Sequence, residues 1–155
     1  MPKYMILIKG NAGSESIPKK GEVSEEVAAM NNKMFNEMVT FNEKLIEAEV
    51  LVELGGFEST HAAHRMEYSA TGAPQITPGP FDLEKERMPC GFWLLETKDD
   101  EEVLKWAKQI PFQQGEVIIH KLGKASEMPG FDDDLMKREE KMDAALLARR
   151  IKFQK

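Results

Sequence analysis

Two histidines three residues apart, His61 and His64, flank Ala62-Ala63 and lie between Glu58 and Glu67, the one local concentration of imidazole and carboxylate in the chain. An imidazole titrates near neutrality and can both take and give a proton there. General acid/base work is the chemistry this stretch offers, with His64 the first choice; two ordinary surface histidines are the alternative. A spacing of three does not mark a metal pair outside a helix, because in a strand those side chains point to opposite faces.

A second group follows the loop Thr77-Pro78-Gly79-Pro80-Phe81: Asp82, Glu84, Lys85 and Glu86 bring acids and one base close together. They could bind a small polar substrate and move its protons, with Glu86 in a catalytic part and Lys85 as a binding cation, or they could be a solvated charged loop. Gly79 between two prolines has little rotational freedom, which suits either a pocket wall or a structural turn. His120 falls late in the chain inside an apolar run and could face a cleft between subunits or plain solvent. Cys90 is the single cysteine, so no intramolecular disulfide or cysteine-built zinc cage can form, and inert packing is its simplest role.

Elements must hold these residues in place. Tyr4 to Ile8 is a short apolar run ending near Gly10 and reads as a buried strand. Asn11 to Glu22, rich in Gly, Ser, Lys and Pro18, reads as a long surface loop. Ser24 is a fitting N-cap, and Val27, Met30, Met34, Met38, Phe41 and Leu45 then recur every three or four residues, which predicts a helix of about 25 residues packed through that stripe. Gap-filling against a sheet is the use expected of its methionines, ahead of a soft metal or peptide site.

Val50 to Leu54 predicts a second strand, with Gly55-Gly56 marking a bulge or a close backbone approach. Arg65 to Tyr68 and Gln75 to Thr77 predict a hairpin. Phe92 to Glu96 is another strand; Asp99 or Asp100 caps a helix faced by Val103, Leu104, Ala107 and Ile110, and Pro111 helps stop it. Val117 to Leu122 supplies the last strand, and Asp132-Asp133-Asp134 opens a terminal helix that runs from acidic to basic, ending at Lys155. The order β-α-β, hairpin, β-α-β predicts an α+β fold of the ferredoxin-like, split βαβ kind, with two helices on one sheet face. The uncovered face predicts a homodimer with two-fold symmetry.

The 155 residues, 41% hydrophobic and 31% charged, fit one compact domain and exclude a disordered chain. A formal charge of -6 repels phosphate backbones and anionic lipid heads, so neither nucleic acid nor membrane is an expected partner. The N-terminal apolar run is too short for a signal peptide or a membrane span, and a cytoplasmic protein is expected. No Walker A loop, Rossmann glycine pattern, nucleophile elbow or H-E-x-x-H helix occurs, so no cofactor or metal is expected.

Ile76-Thr77-Pro78-Gly79-Pro80-Phe81-Asp82-Leu83-Glu84-Lys85-Glu86, followed by Gly91-Phe92-Trp93-Leu94-Leu95-Glu96, resembles the DGPF branch of the YCII-related proteins. The opening Lys3 to Ile8 and the stretch Asp99 to Pro111 are similar to that family's first strand and tryptophan-bearing helix. Pro78 stands where the family's naming aspartate is expected, and Leu83 where a glutamate is usual. The resemblance implies a dimeric α+β barrel, covering residues 1–125, with 126–155 as a C-terminal helical extension. A pocket beside the sheet is expected for a small-molecule ligand, lined by Tyr4, His64, Phe81, Glu86 and Phe92, with Gly79 and Lys85 at its edge. Isomerase or lyase chemistry without a cofactor is one expectation, and a non-catalytic module that senses a ligand or binds a protein partner is the other.

Overall fold

The computed structural model describes residues 1–15 and 21–153. Its chain runs through β1 (Lys3–Lys9), α1 (Ala12–Glu15), α2 (Glu25–Glu47), β2 (Leu51–Gly56), a 3-10 turn at Thr60–Ala62, β3 (His64–Glu67), β4 (Gln75–Pro78), α3 (Leu83–Glu86), β5 (Pro89–Glu96), α4 (Asp100–Ala107), β6 (Val117–Lys121) and α5 (Asp133–Phe153). Residues Met1–Lys121 form one compact unit and Leu122–Lys155 a second. The loop expected over Asn11 to Glu22 contains α1, while its residues 16–20 lie outside the described residues, as do Gln154 and Lys155 of the basic tail.

Four strands pair antiparallel in the order β2-β5-β1-β6. The β1-α2-β2 and β5-α4-β6 units therefore interleave, each placing its two strands either side of a strand from the other. This is the ferredoxin-like α+β arrangement that the order of elements predicts. The hairpin of β3 and β4 makes a separate two-stranded sheet.

Alternation along the strands decides what faces the helices. Tyr4 and Ile6 of β1 and Trp93 and Leu95 of β5 are buried on one face with Phe41 and Leu45 of α2 and Val103 of α4. Trp93 meets Phe41 edge-on at 5.7 Å between ring centroids, and its Nε1–H donates to Asn42 Oδ1 at 2.8 Å, so the one polar atom of this large side chain is satisfied inside the core. Both helix starts are capped as expected: Ser24 accepts from the Val27 amide and Asp99 from the Glu102 amide. The close backbone approach expected at Gly55-Gly56 lies between β2 and β5, where a Cβ on Gly91 would stand 2.9 Å from the Gly55 carbonyl oxygen, while the bulge in β2 lies earlier, between Leu51 and Glu53.

The methionine stripe needs correcting. Only its C-terminal part is covered: Phe41 and Leu45 are buried and Met38 packs against the core, but Val27, Met30 and Met34 are exposed. Length explains this. A helix of 23 residues extends about 35 Å at 1.5 Å per residue, whereas the seven residues of β1 extend about 23 Å, so the first turns overrun the sheet. Leu104 of α4, placed on a buried face by its spacing, is also exposed. On the other side of the sheet Met5, Leu7, Phe92 and Leu94 are half-buried and Ile118 is exposed.

In the second unit α5 starts where the aspartates predict, with Asp132 Oδ1 accepting from the Leu135 amide at 2.9 Å. Leu135, Met136, Met142, Leu146, Leu147 and Ile151 along it are all exposed.

Candidate acid/base site

Glu15, at the end of α1, reaches 45 residues along the chain to the 3-10 turn. Its Oε1 accepts from the Thr60 amide at 2.8 Å and its Oε2 from the Thr60 hydroxyl at 2.7 Å, with the Ser59 hydroxyl at 3.5 Å. The Thr60 amide, then its hydroxyl, hold the Glu15 carboxyl below the usual carboxylate range. Thr60 is buried, so its hydroxyl has to be fully used. It accepts from the Phe81 amide at 2.8 Å, and its single proton goes to the charged Glu15 oxygen in preference to the Phe81 carbonyl at 3.2 Å.

His61 sits beside this anchor. Ser59, the cap of the turn, places Oγ 2.8 Å from His61 Nδ1, and Glu15 Oε2 is 3.9 Å from the same nitrogen. The His61 side chain is 71% exposed whereas that of Glu15 is 17% exposed. One ring nitrogen is thus turned to a fixed hydroxyl backed by a carboxylate, with most of the ring facing solvent. A carboxylate and hydroxyl that orient an imidazole through Nδ1 leave Nε2 as the working nitrogen of a general base.

The proline-flanked loop closes the back of this site. Gly79 donates its amide to the Ala63 carbonyl at 2.8 Å, and a Cβ on Gly79 would fall 1.7 Å from the Thr60 carbonyl oxygen. Only glycine permits that approach of two backbones. Phe81, one turn of chain later, is tied to Thr60 by the amide bond already described, so the loop and the Ser59–Ala62 turn are one rigid piece.

The remaining expected residues divide into separate places. Glu86 is ion-paired with Arg65 of β3, whose guanidinium carbon lies 4.6 Å from the centre of the Phe81 ring. Phe81 therefore joins the His61 site to the Arg65–Glu86 pair. His64 directly precedes Arg65 in the strand, so its side chain points to the opposite hairpin face, away from Glu86. Lys85 is exposed in the single turn of α3, where Asp82 caps its amide. Phe92 stacks at 5.8 Å with Phe57 on the sheet face opposite the helices, the face that also carries exposed His120. Cys90 is half-buried with Sγ 3.8 Å from the Lys9 carbonyl.

Tyr4 belongs to another corner. It is buried against the helices, and its hydroxyl donates to Asp100 in the first turn of α4, which also pairs with Lys121 at 3.3 Å. The bond to Asp100 raises the Tyr4 pKa, and Tyr4 and Lys121 together lower that of Asp100. This corner lies at the start of β1, while the Gly10 amide just past its far end bonds to the Met88 carbonyl behind α3, so the length of the strand separates Tyr4 from the loop of Phe81.

Glu15, Ser59 and Thr60 carry no motif that marks them as functional in the sequence. The one available signal was Ser59-Thr60 immediately before His61, a hydroxyl pair fit to cap a turn and hold an imidazole. A depression of about 40 Å³ between Leu7, Lys9, Arg87, Pro89, Glu116 and Ile118 contains none of the expected residues, and it is well below the roughly 300–1,000 Å³ of small-molecule pockets. Among the described residues no three His, Cys, Asp or Glu side chains are grouped to hold a metal ion, and no helix is long and apolar enough to cross a membrane.

Comparison with the curated proteins gives no match. The YCII-related domain matches residues 2–121, the whole of the interleaved βαβ sheet together with its hairpin and the His61 turn. With that match over most of its length and the ferredoxin-like sheet beneath it, the chain belongs to the YCII-related domain family.

Proposed function

We propose that this protein is a cofactor-independent acid/base enzyme of the isomerase or lyase type, acting on a small polar molecule, with His61 as the proton carrier. The observation that carries the reading is the Nδ1 of a solvent-facing imidazole held 2.8 Å from Ser59 Oγ, with the Glu15 carboxylate behind both. In the tautomer protonated on Nδ1, that N–H donates to Ser59 Oγ and the serine proton turns toward Glu15. The Nε2 lone pair is then free to take a proton from a carbon next to a carbonyl. The imidazolium so formed is stabilised by Glu15 at 3.9 Å and returns its proton either to a neighbouring carbon, completing an isomerisation, or to a leaving group.

Within the family we read the chain as a member of the DGPF branch, on the Thr77 to Phe81 loop and with Pro78 in place of the aspartate. The loop's part is mechanical, since it fixes Thr60 and through it Glu15. Glu86 is occupied by Arg65, so its contribution is to hold that cation at Phe81, beside the substrate. We further read the protein as a cytoplasmic homodimer that joins through the sheet face bearing Met5, Leu7, Phe92 and Leu94.

The test is proton exchange. In deuterium oxide, members of a panel of small carbonyl acids should acquire deuterium next to the carbonyl in the presence of the protein, followed by proton NMR, and His61→Gln should abolish the exchange. Exchange that persists undiminished in that variant would sink the reading. Exposed Met30, Met34 and Phe35 on α2 favour a second reading, a non-catalytic module that docks a protein through this helix. That reading gains if no substrate in the panel exchanges and Met30→Glu abolishes partner binding.

A further inference from the structure

We infer that α5 is a self-pairing helix, joining a second copy of this chain as an antiparallel two-stranded coiled coil. Leu135, Glu139, Met142, Leu146, Arg149 and Phe153 are spaced by alternating steps of four and three, the spacing of a coiled-coil seam. The helix runs over Asp133–Phe153, about 30 Å, and Leu135, Met142 and Leu146 on that seam are exposed. An amphipathic helix of this length gains most of its stability from covering such a stripe.

Charge decides both the occupant and the direction. A parallel pair would set Glu139 against Glu139 and Arg149 against Arg149, two like-charge contacts in the seam. An antiparallel pair centred on Ala144 instead sets Glu139 of each copy against Arg149 of the other, Met142 against Leu146 and Leu135 against the position of Phe153. It also brings the acidic start of the helix, Asp132 to Asp134, beside the basic end that holds Arg150. Every seam position then meets an apolar or oppositely charged one. The helix lies outside the family-matched residues 2–121, and the pairing uses no residue of the sheet face.

Spin labels on the full-length chain, with Cys90→Ser removing the native thiol, distinguish the possibilities. Labels at Asp143→Cys should lie side by side in an antiparallel pair, whereas labels at Lys137→Cys should be offset by about 20 Å along the axis, at 1.5 Å per residue. Glu139→Arg should abolish the short 143–143 distance, and combining it with Arg149→Glu should restore it. Equal short distances at both positions, no short distance at 143, or a 143 distance untouched by the single swap would each overturn the proposal. A sheet-face dimer alone gives none of the expected pattern.

Discussion

Two corners of the sheet unit are built from the same parts and end differently. At one end of β1 the Asp100 carboxylate gathers the Tyr4 hydroxyl and the Lys121 ammonium; toward the hairpin, the Glu15 carboxylate gathers the Thr60 and Ser59 hydroxyls and the His61 ring. The first corner ties a buried tyrosine to the start of a helix and the end of a strand, and its groups ionise far from neutrality. The second places its carboxylate and hydroxyls behind an imidazole that faces solvent. A hydrogen-bonded carboxylate is thus no sign of chemistry by itself. What matters is whether it holds a group that can exchange a proton near neutral pH.

Breaking the backbone under the second corner should have the largest effect. Gly79→Ala forces a Cβ into the Thr60 carbonyl, and a loss of about 3 kcal/mol, the upper end for overpacking, is expected from urea unfolding midpoints. Thr60→Val, which keeps the shape and strands the Phe81 amide, should cost about 2 kcal/mol, the penalty for an unsatisfied buried donor, with Thr60→Ser recovering most of it.

The pH dependence separates the corners further. Glu15 and Asp100 have lowered pKa values, so what each contributes is present above the ordinary carboxylate range and fades as pH falls through its folded value. Tyr4 and Lys121 have raised values, so theirs is present below their ordinary ranges and fades as pH rises through the folded values. Glu15→Gln should therefore flatten only the acid limb of a stability–pH profile, while Tyr4→Phe should flatten the alkaline limb and, through Asp100, part of the acid limb. A Glu15→Gln profile altered at alkaline pH would blur the distinction. The smallest effect is expected at the bridge between hairpin and α3: Arg65→Met should change the urea midpoint by less than about 1 kcal/mol, since both side chains of its pair with Glu86 are partly solvated.

Local signals carried most of the fold. Ser24 and Asp99 announced two helices, the Gly55-Gly56 step announced a close backbone approach, met between β2 and β5, and the order of periodic segments announced the interleaved βαβ units. Periodicity gives the direction of the α2 stripe but no length for the surface it packs on, so Met30 and Met34 share the stripe yet stand in solvent. The site was harder to read because its partners are distant in the chain: Glu15 meets Thr60 across 45 residues, and Tyr4 meets Asp100 across 96. His64 drew attention by type and lost its link to Glu86 by parity, one residue being enough to turn a strand side chain to the other face.

The Trp93–Asn42 bond gives the molecule a built-in optical gauge. Of the two tryptophans, Trp93 is 3% exposed and sits where α2 closes on the central strands, while Trp106 is only half-buried. Lifting α2 from the sheet would wet the Trp93 indole and shift its emission to the red, so fluorescence of the unlabelled protein follows that docking directly. In a Trp106→Phe background the signal comes from Trp93 alone, and a ligand-induced movement of α2 could be timed in a stopped-flow cell without any added dye.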